Sequence, residues 1–318
     1  MSMKTVEEIR PVKEAAEDEL LKLPNVVGVD IGRKIKDGKE TDELSILVLV
    51  SSKEDVPRAQ MAPAMIDGVT TDVIERRYVL AGERSSSDDC VAPGEQRLAA
   101  DTGRYDPLKG GISIGPCRSL LTGGTAGAIV RDIATNSPML LSNFHALSGD
   151  MGWTVGDTMT QPSLRDTGRC PADIVATLQR VALNESVDAA VASIITRDHT
   201  PEIVEIGNTN GTTAATVNMA VRKRGRTTGV TFGIVQSLDL TSVIDFDPSI
   251  GRRVFKRQIS IMAASPSTIF ADEGDSGAVI VNSARQVVGL LFARQDKAGL
   301  FAAANPIQAV FSILNVKL

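Results

Sequence analysis

Aromatic residues are scarce in this chain of 318 residues, at 3% of the total. Proteins that hold single-stranded nucleic acid usually stack its bases on aromatic side chains, and this composition supplies little material for that task. The formal net charge of −5 also argues against a general surface for polyanions. The sequence therefore predicts no nucleic-acid partner.

Long hydrophobic runs are missing as well. An apolar run of about 18 residues would be needed for a transmembrane helix, and none occurs, so we expect no membrane partner. The first 24 residues carry charge throughout, where an export signal would need a continuous apolar stretch. The expected location is the cytoplasm.

Cysteines number three, at the widely spaced positions Cys90, Cys117 and Cys170. A disulfide framework favours an even count, and a zinc site favours closely spaced pairs. We therefore predict mostly free thiols. No pattern of metal ligands and no cofactor motif is visible, so no metal and no cofactor are expected.

The first part of the chain predicts a small α+β unit over residues 1–81. Apolar residues recur at helical spacing over residues 4–22. Two β-branched runs at 25–32 and 44–51 predict a hairpin whose loop is longer than two residues, and 70–78 is a third candidate strand. We interpret the unit as a regulatory or assembly element, with a homo-oligomer as one possible outcome.

Residues 82–110 are rich in small and charged side chains and lack periodicity, which predicts a linker. From residue 111 onwards, short apolar runs alternate with glycine-containing turns every 8–12 residues. That pattern is typical of an antiparallel sandwich or barrel. The chain closes with Asn305-Pro306 and an apolar stretch, which predicts a C-terminal helix.

One serine stands out in the segment 272–281, where Ser276 lies between acidic and glycine residues just before an apolar run. A tight loop of this kind can point several backbone N–H groups at one position, as an oxyanion site requires. A glycine-rich turn that merely leads into a strand would look the same. The motif alone does not decide between them.

A serine nucleophile needs a base, and histidine has a suitable side chain. His145 follows an apolar run, where a core histidine is the alternative, whereas His199 lies in a polar turn and is expected at the surface. Asp188 leads an apolar strand and could orient an imidazole, or could be a turn aspartate. The order His145, Asp188, Ser276 is hard to reach by chance.

These residues give the sequence a resemblance to a known family. The segments LLSNFHAL, VDAAVA and EGDSGA resemble the histidine, aspartate and serine segments of trypsin-like, chymotrypsin-fold serine proteases. Further stretches resemble the intracellular bacterial branch that is similar to plant narrow-leaf-type proteases. The resemblance covers about residues 110–318. It implies a mainly β, chymotrypsin-like double barrel, preceded by the α+β unit and closed by a C-terminal helix.

The resemblance also implies roles for individual residues. Ser276 would be the nucleophile, His145 the general base and then general acid, and Asp188 the orienting carboxylate. The backbone N–H groups of Gly274 and Ser276 would form the oxyanion hole. Phe270, six positions before the nucleophile, would line the base of the specificity pocket and favour a small or medium apolar residue before the cut.

The predicted function is therefore a serine endopeptidase that hydrolyses protein or peptide substrates through an acyl-enzyme. In the secreted relatives, the aspartate matching Asp275 pairs with a new N-terminus after activation. Nothing in this sequence marks such a cut, so Asp275 needs an internal partner, with an arginine as the expected type. The alternative is a non-catalytic assembly or binding protein on a protease scaffold, because fold does not imply function.

Overall fold

The computed structural model describes residues 4–53, 57, 60–82, 100–246, 248–296 and 298–318. Its first element is the helix α1, Val6–Leu20, which begins at a capping box between Thr5 and Glu8. The box satisfies two backbone N–H groups that the first helical turn leaves free. The predicted N-terminal helix is therefore present, two residues shorter at each end than its apolar periodicity suggested.

A β-hairpin follows the helix, with strands β1, Val26–Lys36, and β2, Lys39–Val50. Its loop is the two-residue turn Asp37-Gly38, in which both residues have positive φ. The longer predicted loop is wrong, because the polar residues next to the apolar runs also pair across the hairpin. Backbone pairing does not require apolar side chains, whereas an Asp-Gly turn fits the twist of the two strands.

Three short strands complete the N-terminal region. They are β3, Met65–Ile66, β4, Val69–Glu75, and β5, Tyr78–Leu80. Strand β4 corresponds to the third strand predicted for this region, and it runs parallel to β2. Strand β5 leaves this group and pairs elsewhere, with the strand β20 described below.

The middle of the chain forms an eight-stranded sheet that curls into the first barrel. In spatial order its strands are β22, β9, β10, β13, β12, β11, β7 and β8. Their bounds are β7 Ile112–Pro116, β8 Gly124–Ala126, β9 Ala128–Asp132, β10 Pro138–Ser142, β11 Thr158–Thr160, β12 Ile174–Leu183, β13 Asp188–Ile194 and β22 Val316–Lys317. Strand β8 is one edge of this sheet, and β9 lies next to the opposite edge. Because only Gly127 separates the two strands along the chain, the two edges of the sheet lie close together.

The second barrel is closed by hydrogen bonds in the order β16, β19, β20, β21, β18, β17 and back to β16. The bounds are β16 Ala220–Gly225, β17 Gly229–Asp245, β18 Arg252–Ala263, β19 Val279–Asn282, β20 Val287–Gln295 and β21 Phe301–Pro306. Strand β1 pairs with β17, so the N-terminal hairpin extends this sheet. The predicted division at residues 81 and 110 stays a prediction.

The remaining elements lie around the barrels. A small sheet consists of β6, Leu108–Gly110, β14, His199–Ile203, and β15, Gly207–Asn208. The short helix α2 is Phe144–Leu147, and α3 is Ile307–Leu314, which packs Ile307, Val310 and Leu314 into a core shared by both barrels. The predicted mainly β double barrel with a C-terminal helix is confirmed.

The cysteines depart from the sequence prediction. Cys117 and Cys170 form a disulfide, with their Cα atoms 6.0 Å apart. The prediction of free thiols is therefore wrong for this pair. The two residues lie 53 positions apart in the sequence, and the fold brings them together where spacing alone gave no indication. Cys90 lies outside the described residues.

Candidate active site

The predicted base and its carboxylate lie at the end of the first barrel that faces the second. Strand β10 leads into α2, which carries His145, and Asp188 begins the neighbouring strand β13. His145 Nδ1 is hydrogen-bonded to Asp188 Oδ2, and the His145 backbone N–H donates to Asp188 Oδ1 at 3.3 Å. Asn305 receives the Asp188 backbone N–H at 3.0 Å. The carboxylate therefore fixes both the backbone and the ring of His145.

Ser276 comes from the loop that precedes β19 of the second barrel. Its side chain is fully buried, and its Oγ donates to the Phe292 carbonyl at 3.3 Å. His145 Nε2 is buried and has no hydrogen-bond partner within the described part of the chain. A Cβ added to Gly82 would lie 2.8 Å from that Nε2 and 3.5 Å from Ser276 Oγ. Both atoms thus border one small volume.

The loop before Ser276 presents two N–H groups to a single oxygen. Gly274 N donates to the Ala81 carbonyl at 2.5 Å, and Ser276 N donates to the same oxygen at 3.4 Å. Gly274 has φ +95°, a conformation that a side chain strongly disfavours, so glycine is required there. The arrangement is suited to binding a carbonyl oxygen on which negative charge develops.

Asp275 points away from this oxygen into the second barrel. Its partner is Lys223 on β16, at 2.8 Å, and both side chains are fully buried. Thr228 Oγ1 donates to the same carboxylate at 2.6 Å, and the Thr227 and Thr228 N–H groups donate at 2.9 and 3.1 Å. The internal partner is therefore a lysine where an arginine was expected.

A run of basic residues such as 222–226 predicts a solvated hairpin face. That prediction is wrong for Lys223 and Arg224, which are buried. Arg224 pairs with Asp101 at 2.5 Å, and Arg226 pairs with Asp166 of the first barrel. The carboxylates are buried at Asp166 and partly buried at Asp101, and pairing with them compensates the charges of the enclosed cations.

Burial by itself would raise the pKa of Asp275. The charge and hydrogen bond of Lys223, together with the bond from Thr228, more than offset burial and hold the pKa of Asp275 below its ordinary value. Asp275 is therefore a carboxylate at neutral pH. Its bonds to Lys223 and to the Thr227 and Thr228 backbone fix the loop that carries Gly274 and Ser276.

Phe270 and His199 occupy different surroundings. Phe270 is fully buried in the core of the second barrel, with its N–H donating to the Gly299 carbonyl at 2.8 Å. Its role at the base of a specificity pocket stays a prediction. His199 begins β14 and is partly exposed. The histidine that is hydrogen-bonded to Asp188 is His145.

Sequence reasoning missed three contributors to this site. Lys223 was hidden in a run of basic residues, although its alternation with Val221 on a strand could have placed it on the buried face. Ala81 and Gly82 carried no sequence signal at all. Among the described residues, no group of three potential metal ligands is found, and no helix is long and apolar enough to cross a bilayer.

No protein-family model and no curated protein sequence matches this chain. Several solved structures do match. Thermobifida fusca protease A has a TM-score of 0.49 and 17% identity, covering 66% of this chain and 97% of its own. Nocardiopsis protease has a TM-score of 0.47 and 15% identity, covering 66% and 98%. For Cellulomonas bogoriensis chymotrypsin the values are 0.45, 16%, 66% and 97%.

Two of these neighbours are proteases by name and the third is a chymotrypsin, all at low identity to this chain. The topology of this chain, two β-barrels with the candidate site between them, is chymotrypsin-like. The resemblance to the plant-like branch stays a prediction. The activity has to be argued from the residues of this chain.

Proposed function

We propose that the protein is a serine endopeptidase in which Ser276, His145 and Asp188 act together. The observation that carries the proposal is the small volume shared by His145 Nε2 and Ser276 Oγ, next to the two N–H groups that converge on one carbonyl oxygen. A nucleophile, a base with an orienting carboxylate and an oxyanion site are the parts that acyl transfer needs.

In this mechanism Ser276 Oγ rotates from the Phe292 carbonyl towards His145 Nε2 and attacks the substrate carbonyl carbon. His145 takes the proton, and Asp188 stabilises the resulting imidazolium. The Gly274 and Ser276 N–H groups stabilise the oxyanion. His145 then protonates the leaving amine, and water hydrolyses the acyl-enzyme by the same route.

The substrate of this mechanism is an extended peptide. Strand β5 of the chain itself lies antiparallel to β20, with Val79 opposite Arg294 and Leu80 opposite Ala293. Main-chain pairing of this kind binds a peptide in extended form and leaves side-chain preferences to the neighbouring surface. A peptide bound in trans would have to replace β5.

The test is labelling with a fluorophosphonate, which modifies activated serines. Because β5 covers the cleft, the assay includes Val79→Pro. The Ala81 N–H donates to the Phe292 carbonyl. Hydrogen-bonded pairs recur at every second residue of an antiparallel ladder, so Val79, which lies opposite Arg294, is also a hydrogen-bonded position. Proline at position 79 removes the backbone N–H that such a position donates. We expect labelling of Val79→Pro and loss of labelling on adding Ser276→Ala.

His199→Ala is the matched histidine control and should leave labelling unchanged, whereas His145→Ala should abolish it. A correctly folded Val79→Pro protein that is not labelled, and that hydrolyses no peptide, would favour the non-catalytic scaffold. The fold is checked by circular dichroism and by the urea midpoint.

A further inference from the structure

The candidate cleft is filled by the protein's own chain. Strand β5 pairs with β20, and the next residue, Ala81, donates its N–H to the Phe292 carbonyl at 3.1 Å. Its carbonyl oxygen receives the N–H groups of Gly274 and Ser276 at 2.5 and 3.4 Å. Residues 78–81 thus lie in the cleft as an extended peptide substrate would, with the Ala81 carbonyl at the oxyanion site.

The next residue completes the arrangement. Gly82 lies against the imidazole, since an added Cβ would be 2.7 Å from His145 Cδ2 and 2.8 Å from Nε2. Arg165 Nη1 donates to the Gly82 carbonyl at 3.4 Å, and Nη2 of the same side chain pairs with Glu273 at 2.5 Å. The bond between Ala81 and Gly82 therefore lies between the candidate nucleophile and the candidate base.

We propose that the protein cuts its own chain between Ala81 and Gly82. The proposal rests on the proposed function. Ser276 Oγ bonds to the Ala81 carbonyl carbon and gives its proton to His145, the Ala81–Gly82 C–N bond breaks, and His145 protonates the Gly82 nitrogen. Water then hydrolyses the Ser276 ester, which leaves an Ala81 carboxylate and a free Gly82 amine.

Apolar packing selects this register of the chain. Tyr78 and Leu80 are almost fully buried, at 1% and 2% exposure, in a cluster with Phe144, Phe246 and Phe292. A shift by one residue would turn both side chains out of this cluster. It would also place a side chain where Gly82 meets the imidazole. The sequence Tyr-Val-Leu-Ala-Gly thus fits the cleft in one register.

The experiment follows the purified full-length chain by intact mass and N-terminal sequencing. Wild type is expected to give two fragments, the second beginning at Gly82, while Ser276→Ala stays intact. The cut occurs within one molecule, so its rate constant should not change over a 50-fold range of protein concentration, and wild type should not cut added Ser276→Ala protein.

Gly82→Ala places a methyl group against His145 and should slow the cut on the order of 100-fold, because small displacements of reacting groups are that costly. Gly152→Ala is the matched control, since its added methyl meets the ends of the Asp150 and Arg118 side chains on an exposed loop. It should cut at the wild-type rate. Equal rates in the two variants would overturn the assignment of the bond.

Fluorophosphonate labelling distinguishes a failure of the proposed self-cleavage from a failure of the proposed endopeptidase function. An intact wild-type chain, or one cut at another bond, together with a labelled Val79→Pro protein, overturns the self-cleavage and leaves the endopeptidase standing. An intact chain with no labelling of folded Val79→Pro overturns both. Fragments that form at a rate proportional to concentration overturn the intramolecular step.

Discussion

Replacing Lys223 by methionine is expected to destabilise the protein and to disable the candidate oxyanion site. The ammonium lies 2.8 Å from Asp275, and both side chains are fully buried. Removing one partner of such a pair leaves an uncompensated buried charge, which costs about 3–5 kcal/mol. Methionine keeps the length of the apolar stem, so the loss reports mainly on the charge.

The chain offers a matched control for this charge pair. Lys109 and Glu202 lie at the same 2.8 Å, but their side chains are 25% and 36% exposed. Water screens such a pair, so Lys109→Met should cost less than about 1 kcal/mol. Urea unfolding of the two variants and wild type measures the difference directly. A loss for Lys223→Met no larger than that for Lys109→Met would refute the reasoning.

Activity provides the second readout. Asp275 lies between Gly274 and Ser276, and its bonds to Thr227 and Thr228 hold the loop that presents their N–H groups. Loss of one oxyanion donor costs about 10²–10³ in kcat, and we expect Lys223→Met to lose about this much in peptide hydrolysis by the Val79→Pro protein.

The effect on stability should depend on pH. In wild type the pKa of Asp275 is lowered, so its contribution is present above the unfolded value of about 4 and is lost as pH falls through the lower folded pKa. Without Lys223, the carboxyl can be protonated at higher pH. The stability gap between wild type and variant should therefore shrink as the solution is acidified below pH 5.

Other changes test other parts of the structure. Asp188→Asn should lower kcat by about 10⁴, because the imidazole loses its orienting carboxylate; a loss below tenfold would contradict the role. Cys117→Ser, which removes the disulfide with Cys170, should cost about 3 kcal/mol in urea unfolding under oxidising conditions and nothing once wild type is reduced. Burial raises the pKa of Asp30 to about 6, so its favourable contribution is complete below about pH 4 and lost as pH rises through 6. Asp30→Asn should therefore gain about 1–3 kcal/mol over wild type at pH 8 and little at pH 4, and an equal gain at both would contradict this.

The sequence alone singled out His145, Asp188 and Ser276 as the candidate catalytic residues. Two histidines stand in the chain, and the flanking apolar runs place His145 at a strand end, as they do Asp188 and Ser276. Strand ends on facing barrels can meet, and the structure brings these three side chains together. Here, residue type and local pattern carry the information.

The contacts that the sequence did not predict depend on distant pairing. Lys223 resembles its basic neighbours in type, and only the buried Asp275, in the loop that precedes β19, distinguishes it. Cys117 directly follows β7 and Cys170 precedes β12, and the two cysteines meet because both of these strands pair with β11. In the same way, the N-terminal hairpin gives no local sign that β1 will join β17. Such partners are fixed by topology, which the local sequence does not encode.

The attachment of the N-terminal hairpin to β17 also explains why the cleft holds the protein's own chain. Helix α1 is fixed to β17 by buried Lys13, which contacts Glu17 at 2.5 Å and Thr241 at 2.6 Å. The N-terminal region is thus anchored on the second barrel. A connection of two residues joins β4 to β5, which lies in the cleft. A tethered segment acts at an effective concentration of order millimolar, so a free peptide of weaker affinity does not displace it. Cutting after Ala81 leaves that tether intact, because β5 stays joined to β4. The cut therefore frees the Gly82 side of the cleft, while access to the β5 side still requires the strand to leave β20.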